Sequence, residues 1–127
     1  MVHIYTDGSA SCGTRDAGFG VHIQFPNKSC TEFFGPCGKF CTNYEAEAAA
    51  IETALSEMDK IYSENQEIRT DIVVFTDAMS VLQALNNDET KDRKIDNISK
   101  SISKIITSYD INVKMSIFNG SLDIKIS

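Results

Sequence analysis

The spacing of apolar positions changes several times along the chain, and each change predicts an element. Val2 to Ser9 is a short β-prone run that closes on a carboxylate, Asp7, and a turn. After a loop containing Gly13 and Arg15, Ala17 to Phe25 combines small residues with aromatics and predicts a second strand. Pro26-Asn27-Lys28 is a turn signal, and Ser29 to Phe34 predicts a third strand ending at Gly35-Pro36. Three strands with short connections predict an antiparallel meander. The period then lengthens: Ile51, Ala54, Leu55, Met58 and Ile61 form the stripe of a helix from about Asn43 to Ile61. Its start is marked by Thr42-Asn43-Tyr44-Glu45, a capping box that satisfies free amides of the first turn.

Ser63 to Thr70 is polar and turn-like and leads into a buried strand, Asp71 to Asp77. Val81, Leu82 and Leu85 predict a short helix stopped near Asn86-Asn87, followed by a charged connection from Asp88 to Lys94. Ile95, Ile98, Ile102, Ile105 and Ile106 recur at helical spacing up to Tyr109. Ile111, Val113, Met115 and Ile117 then alternate with polar residues as a strand. The predicted order is βββαβααβ, an α/β fold with a five-stranded mixed sheet flanked by helices. The sequence shows no repeat, low-complexity tract or linker, so residues 1–127 read as a single domain.

At 127 residues the chain can bury a core without disulfide or metal staples. Cys12, Cys30, Cys37 and Cys41 lack Cys-x-x-Cys spacing, and His3 and His22 lie in strand-like runs, so a structural zinc site is not expected. Free thiols in a reducing compartment are. No apolar run is long enough to cross a membrane and no leader pattern is present, so a soluble intracellular, cytoplasmic protein is expected, or a domain cut from a longer one. A formal net charge of −6 argues against gripping nucleic acid by bulk electrostatics. It does not exclude nucleic acid, because carboxylates that hold divalent cations also engage phosphate.

That possibility gives weight to three acidic residues. Ile72 to Asp77 repeats the design of the first strand and closes, like it, on Thr-Asp. Asp7 and Asp77 thus fall near the carboxyl ends of two core strands, where open α/β sheets gather ligands. Glu47 falls within about 40° of Ile51, Ala54 and Met58 around its helix, on the apolar face, where a charge is costly unless compensated. If the first turn of that helix lies over the strand ends, the three carboxylates converge. Such a cluster suits Mg²⁺ or Mn²⁺. Paired divalent ions about 4 Å apart would support phosphodiester hydrolysis.

These residues also carry a family resemblance. Tyr5-Thr6-Asp7-Gly8-Ser9 with Ala17-Gly18-Phe19-Gly20, Thr42-Asn43 through Ala46-Glu47 with Ala54-Leu55, and Phe75-Thr76-Asp77 with Val81-Leu82-Gln83-Ala84-Leu85 resemble, in order, ribonuclease H of type 1 and the related domain of retroelements. The resemblance spans about Met1 to Ile117. It implies a metal-dependent endonuclease for the RNA strand of RNA/DNA hybrids, with Asp7, Glu47 and Asp77 as metal-binding catalytic carboxylates and Mg²⁺ or Mn²⁺ as cofactor. It places Gly8 and Ser9 beside the scissile phosphate, and Thr42 and Asn43 beside the hybrid's minor groove. Helix capping alone also accounts for Thr42.

After Phe118 the resemblance ends. The family continues with a mobile histidine and a fourth metal-binding aspartate, for which Asn119 to Ser127 offers no counterpart; Asp123 is a poor substitute. Instead, Asn119-Gly120 between alternating runs predicts a hairpin that pairs Ile117 with Leu122, Met115 with Ile124 and Val113 with Ile126. It also sets Lys114 opposite Lys125 and Asp123 opposite Ser116. Weak or Mn²⁺-preferring hydrolysis is the consequence for activity. Two other readings stand beside the nuclease: a non-catalytic module of the same fold binding nucleic acid or a protein, and a different nuclease or transposase of the same superfold. Lys91, Arg93, Lys94, Lys100 and Lys104, interleaved with acids, read as a solvated charged face.

Overall fold

The computed structural model describes residues 1–9, 17–38, 42–86, 93–117 and 123–126. The chain runs β1 (Val2–Ser9), β2 (Ala17–Gln24), β3 (Cys30–Gly38), α1 (Asn43–Glu64), β4 (Ile72–Thr76), α2 (Met79–Asn86), α3 (Arg93–Tyr109), β5 (Val113–Ile117) and β6 (Asp123–Ile126), with a 3-10 turn at Gln66–Ile68. The strands form one mixed sheet of order β3-β2-β1-β4-β5-β6. β1, β2 and β3 are the expected antiparallel meander. β4 joins β1 in parallel and β5 joins β4 in parallel, each after a helical crossover of the kind parallel pairing requires.

The sixth strand is the predicted hairpin partner. β6 pairs antiparallel with β5 in the register Val113 with Ile126, Lys114 with Lys125, Met115 with Ile124 and Ser116 with Asp123. Alternation on both strands dictates this register, because a slip of one residue would turn every apolar side chain to the wrong face. The Asn119-Gly120 turn and the pair Ile117 with Leu122 lie outside the described residues.

Several boundaries differ from expectation: β5 begins at Val113 rather than Ile111, and β3 and α1 run on. β3 does not stop at Gly35-Pro36 but continues to Gly38. It is an edge strand, so Pro36 can present its missing amide to the unpaired side. Gly35 pairs with Phe19, and a Cβ on Gly35 would stand 2.6 Å from that ring, so the glycine makes room for the aromatic. α1 extends beyond Ile61 to Glu64. Its last turn carries Tyr62, fully buried, whose hydroxyl donates to the Thr70 carbonyl at 2.7 Å. A tertiary anchor thus carries the helix past its visible apolar stripe.

The core is built by Val2, Ile4, Val21 and Ile23 from the sheet and by Ile51, Ala54, Leu55 and Met58 from α1, all nearly inaccessible. α1 packs on β1 and β2, and α3 packs on α1 and α2 through Ile95, Ile98, Ile102 and Ile105. Each fully buried aliphatic side chain contributes roughly 1.5–3 kcal/mol through burial. This contact holds α1 at a fixed height over the sheet.

Polar contacts fix both ends of α1. At its start the Thr42 Oγ1 accepts from the Glu45 amide at 3.1 Å, and the Thr42 amide donates to the Glu45 Oε1 at 3.4 Å. This capping box holds the Glu45 carboxyl below its usual range, the Thr42 amide being the largest cause. Near its other end the Tyr109 hydroxyl donates to Asp59 Oδ1 at 2.6 Å, Lys104 Nζ stands 2.9 Å from Asp59 Oδ2, and the Arg69 guanidinium lies over the Tyr109 ring. The Tyr109 bond, then Lys104, lowers the Asp59 carboxyl, and the same bond raises Tyr109.

Thr42→Ala removes the cap and is expected to cost about 1 kcal/mol in chemical denaturation; an unchanged midpoint would contradict the capping role. Tyr109→Phe is expected to cost about 1 kcal/mol at neutral pH. Because Asp59 is lowered on folding, its stabilisation is complete above the ordinary carboxylate range and drains away as pH falls through the lowered folded value. The gap between wild type and Tyr109→Phe should therefore narrow in acid. A gap that stays constant from neutral to acid pH would show that the bond does not supply it.

Candidate active site

β1 and β4 run side by side in parallel, with Val2 opposite Ile72 and Tyr5 opposite Phe75. Continued by one and two residues, that register sets Thr6 beside Thr76 and Asp7 beside Asp77. The pleat separates each Thr-Asp pair. Val2, Ile4 and Thr6 are buried, His3 and Tyr5 are half-buried, and Asp7 is exposed. On β4, Ile72, Val74 and Thr76 are buried, and Asp77, just past the strand, is exposed.

Glu47 comes from the first turns of α1. It is 4% exposed, on the face that packs against β1. Thr6 Oγ1 donates to its Oε2 at 3.3 Å and Thr76 Oγ1 donates to the same oxygen at 2.9 Å. A carboxylate this deeply buried needs such donors, since an uncompensated polar group there costs several kcal/mol. Asp77 sits in the turn from β4 to α2. Its carbonyl accepts from the Met79 amide at 3.2 Å, while the Ala78 carbonyl accepts the first bonds of α2 from Val81 and Leu82.

Glu47 therefore lies under the ends of β1 and β4, held by the residues immediately preceding Asp7 and Asp77. The two aspartates stand in solvent at adjoining strand ends. Among the described residues, no three His, Cys, Asp or Glu side chains are drawn together as a ready metal-binding group. The register of β1 against β4 and the contacts of Glu47 bring the three chain positions to the same edge of the sheet. The donor set is all oxygen, the chemistry that Mg²⁺ and Mn²⁺ require, and in that respect the residues fit such an ion.

The other expected positions lie on β1 and at the start of α1. Gly8 and Ser9 continue β1 opposite Phe19 and Gly18. Thr42 caps α1 with its hydroxyl, and Asn43 is the exposed first residue of the helix. Capping is thus the role the structure gives Thr42. Three lysines of α3 are engaged with acids, Lys94 with Glu45 at 3.5 Å, Lys100 with Asp96 at 2.9 Å and Lys104 with Asp59, while Arg93 at its first position is exposed. That is the solvated charged face read from the sequence; Lys91 lies outside the described residues. Cys30 is a free, exposed thiol. No described helix is long and apolar enough to cross a membrane. The sequence pattern points to Thr6 and Thr76 only through the Thr-Asp that closes both strands.

The profile of the reverse transcriptase-like family matches residues 5–116, a span that includes all three carboxylates and both threonines. No curated protein sequence matches at a significant level. Among solved structures, the compost-derived LC11-RNase H1 in complex with an RNA/DNA hybrid is similar at a TM-score of 0.69 and 22% identity, over 92% of this chain and 84% of that one. RNase H1 from the archaeon Halobacterium salinarum NRC-1 is similar at 0.64 and 23% identity, over 91% and 82%. A foamy viral protease-reverse transcriptase in complex with an RNA/DNA hybrid is similar at 0.64 and 20% identity, over 91% of this chain but 17% of that longer one. At these identities the likeness establishes the fold. The chain belongs to the reverse transcriptase-like family and has the ribonuclease H-like fold.

Proposed function

We propose that this domain is an endonuclease that hydrolyses the RNA strand of RNA/DNA hybrids by a two-metal-ion mechanism, with Asp7, Glu47 and Asp77 as the metal-binding carboxylates. The observation that carries the reading is the placement of Glu47, a buried carboxylate held directly beneath the two strand ends that bear the aspartates. An apolar residue would fill that position at less cost if packing were the sole demand. The hybrid as substrate is supported by the LC11-RNase H1 and foamy viral neighbours, both of which were solved with one bound.

The roles divide by environment. Glu47, fixed and dry, is the invariant part of the donor set. Asp7 and Asp77, in water on adjoining strand ends, are free to reorient toward a phosphodiester laid across them. Gly8 and Ser9 continue β1 past Asp7 and would border the scissile phosphate, while Thr42 and Asn43 at the start of α1 would border the minor groove. Bound Mg²⁺ or Mn²⁺ would supply the positive charge that offsets the phosphate and activates the attacking water. With Lys94, Lys100 and Lys104 committed to acids, the net-negative surface gives a polyanion little non-specific attraction. Binding is therefore expected to depend on divalent cation more than on basic side chains.

Asp7→Asn and Asp77→Asn should each reduce cleavage of a labelled RNA strand in a hybrid by more than about 100-fold, beyond what loss of an outer partner costs. Chelation should abolish cleavage in the wild type. Cutting that survives either substitution, or a folded wild type inert with both Mg²⁺ and Mn²⁺, would overturn the reading; the second result would leave a binding module.

A further inference from the structure

We propose that Thr6 and Thr76 are positioning residues that fix the orientation of the Glu47 carboxylate, through its Oε2, for a divalent cation. The proposal rests on the reading of Glu47 as a metal-binding group. A carboxylate oxygen presents about two acceptor sites. Thr76 at 2.9 Å and Thr6 at 3.3 Å both use Oε2. Two donors on one oxygen fix the plane of the group as well as its distance, which a single bond would not.

The two threonines are unequal. The Thr76 hydroxyl accepts from the Ala78 amide at 3.1 Å, so its single proton is directed to Glu47. The chain from amide to hydroxyl to carboxylate polarises along its length and strengthens each bond. Thr6 has one proton and two acceptors in reach, Glu47 Oε2 at 3.3 Å and the Phe75 carbonyl at 3.2 Å, and divides its bond between them. Thr76 is the main anchor and Thr6 the second. Both are 5% exposed or less on central strands, and a β-branched side chain has little freedom about its first torsion.

This arrangement explains why Thr-Asp appears at both strand ends. In each dipeptide the threonine turns inward to set Glu47 and the aspartate stays in solvent, so the register of β1 against β4 fixes all three carboxylates relative to one another. The Ala78 amide belongs to the turn that carries Asp77, so the relay also ties Glu47 to the backbone beside that aspartate.

The test compares Thr76→Val, which keeps the branched shape and removes the hydroxyl, with Thr6→Val and Thr76→Ser. Two readouts are taken: the Mn²⁺ concentration that raises the thermal midpoint of the free protein, and kcat and KM for hybrid cleavage. Thr76→Val should need about 10-fold to 100-fold more Mn²⁺ and lose kcat by a similar factor, the range seen when partners of metal ligands are removed. KM for the hybrid should hardly change. Thr6→Val should show a smaller effect in the same direction, and Thr76→Ser should recover most of the loss. If both valine variants match wild type in Mn²⁺ response and kcat, the positioning role is overturned while the nuclease reading stands. A folded wild type with neither Mn²⁺ stabilisation nor cleavage overturns both. If Thr76→Val does not fold, Thr6→Val decides on the same terms.

Discussion

The structure turns on one buried acid. Glu47 sits in the core layer between α1 and the sheet, and its carboxylate is tolerated because hydroxyls from two neighbouring strands meet one of its oxygens. That requirement fixes much else. α1 must cross β1 with its first turns over the strand ends, β1 and β4 must be adjacent and parallel, and both must carry a hydroxyl at the same level. The apolar stripe of α1 and the isoleucines of α3 supply the packing that holds the helix there.

The sheet topology then converts a local demand into a site. Parallel neighbours end at the same edge, so the residue after each threonine emerges beside its counterpart. Antiparallel strands would have placed the two aspartates at opposite ends. The capping box at Thr42 and the Asp59, Tyr109 and Lys104 contacts pin α1 near both ends, which limits how far Glu47 can drift along the sheet. A stable frame thus presents one buried carboxylate and two exposed ones along one edge of the sheet.

Much of this was legible in the sequence because the governing rules are local. Alternation and turn chemistry gave the element order, and the β5–β6 register followed residue for residue over the described pairs from apolar positions alone. The helix wheel alone places Glu47 on the inward face. What escaped were features set by distant partners. β3 runs through Gly35-Pro36 because it is an edge strand beside Phe19, and α1 runs on to Glu64 because Tyr62 reaches Thr70. The role of Thr6 and Thr76 needs the register between β1 and β4, which no local pattern specifies.

The central claim is that Glu47 is buried in order to bind a cation, and Glu47→Gln tests it most directly by removing the charge while keeping size and an acceptor oxygen. The measurement is the thermal midpoint of the variant with and without Mn²⁺, alongside cleavage of a hybrid's RNA strand. The account predicts a folded protein in which Mn²⁺ no longer raises the midpoint and cleavage is lost. A variant that responds to Mn²⁺ and cleaves as wild type does would show that Glu47 is a core residue without a part in the chemistry.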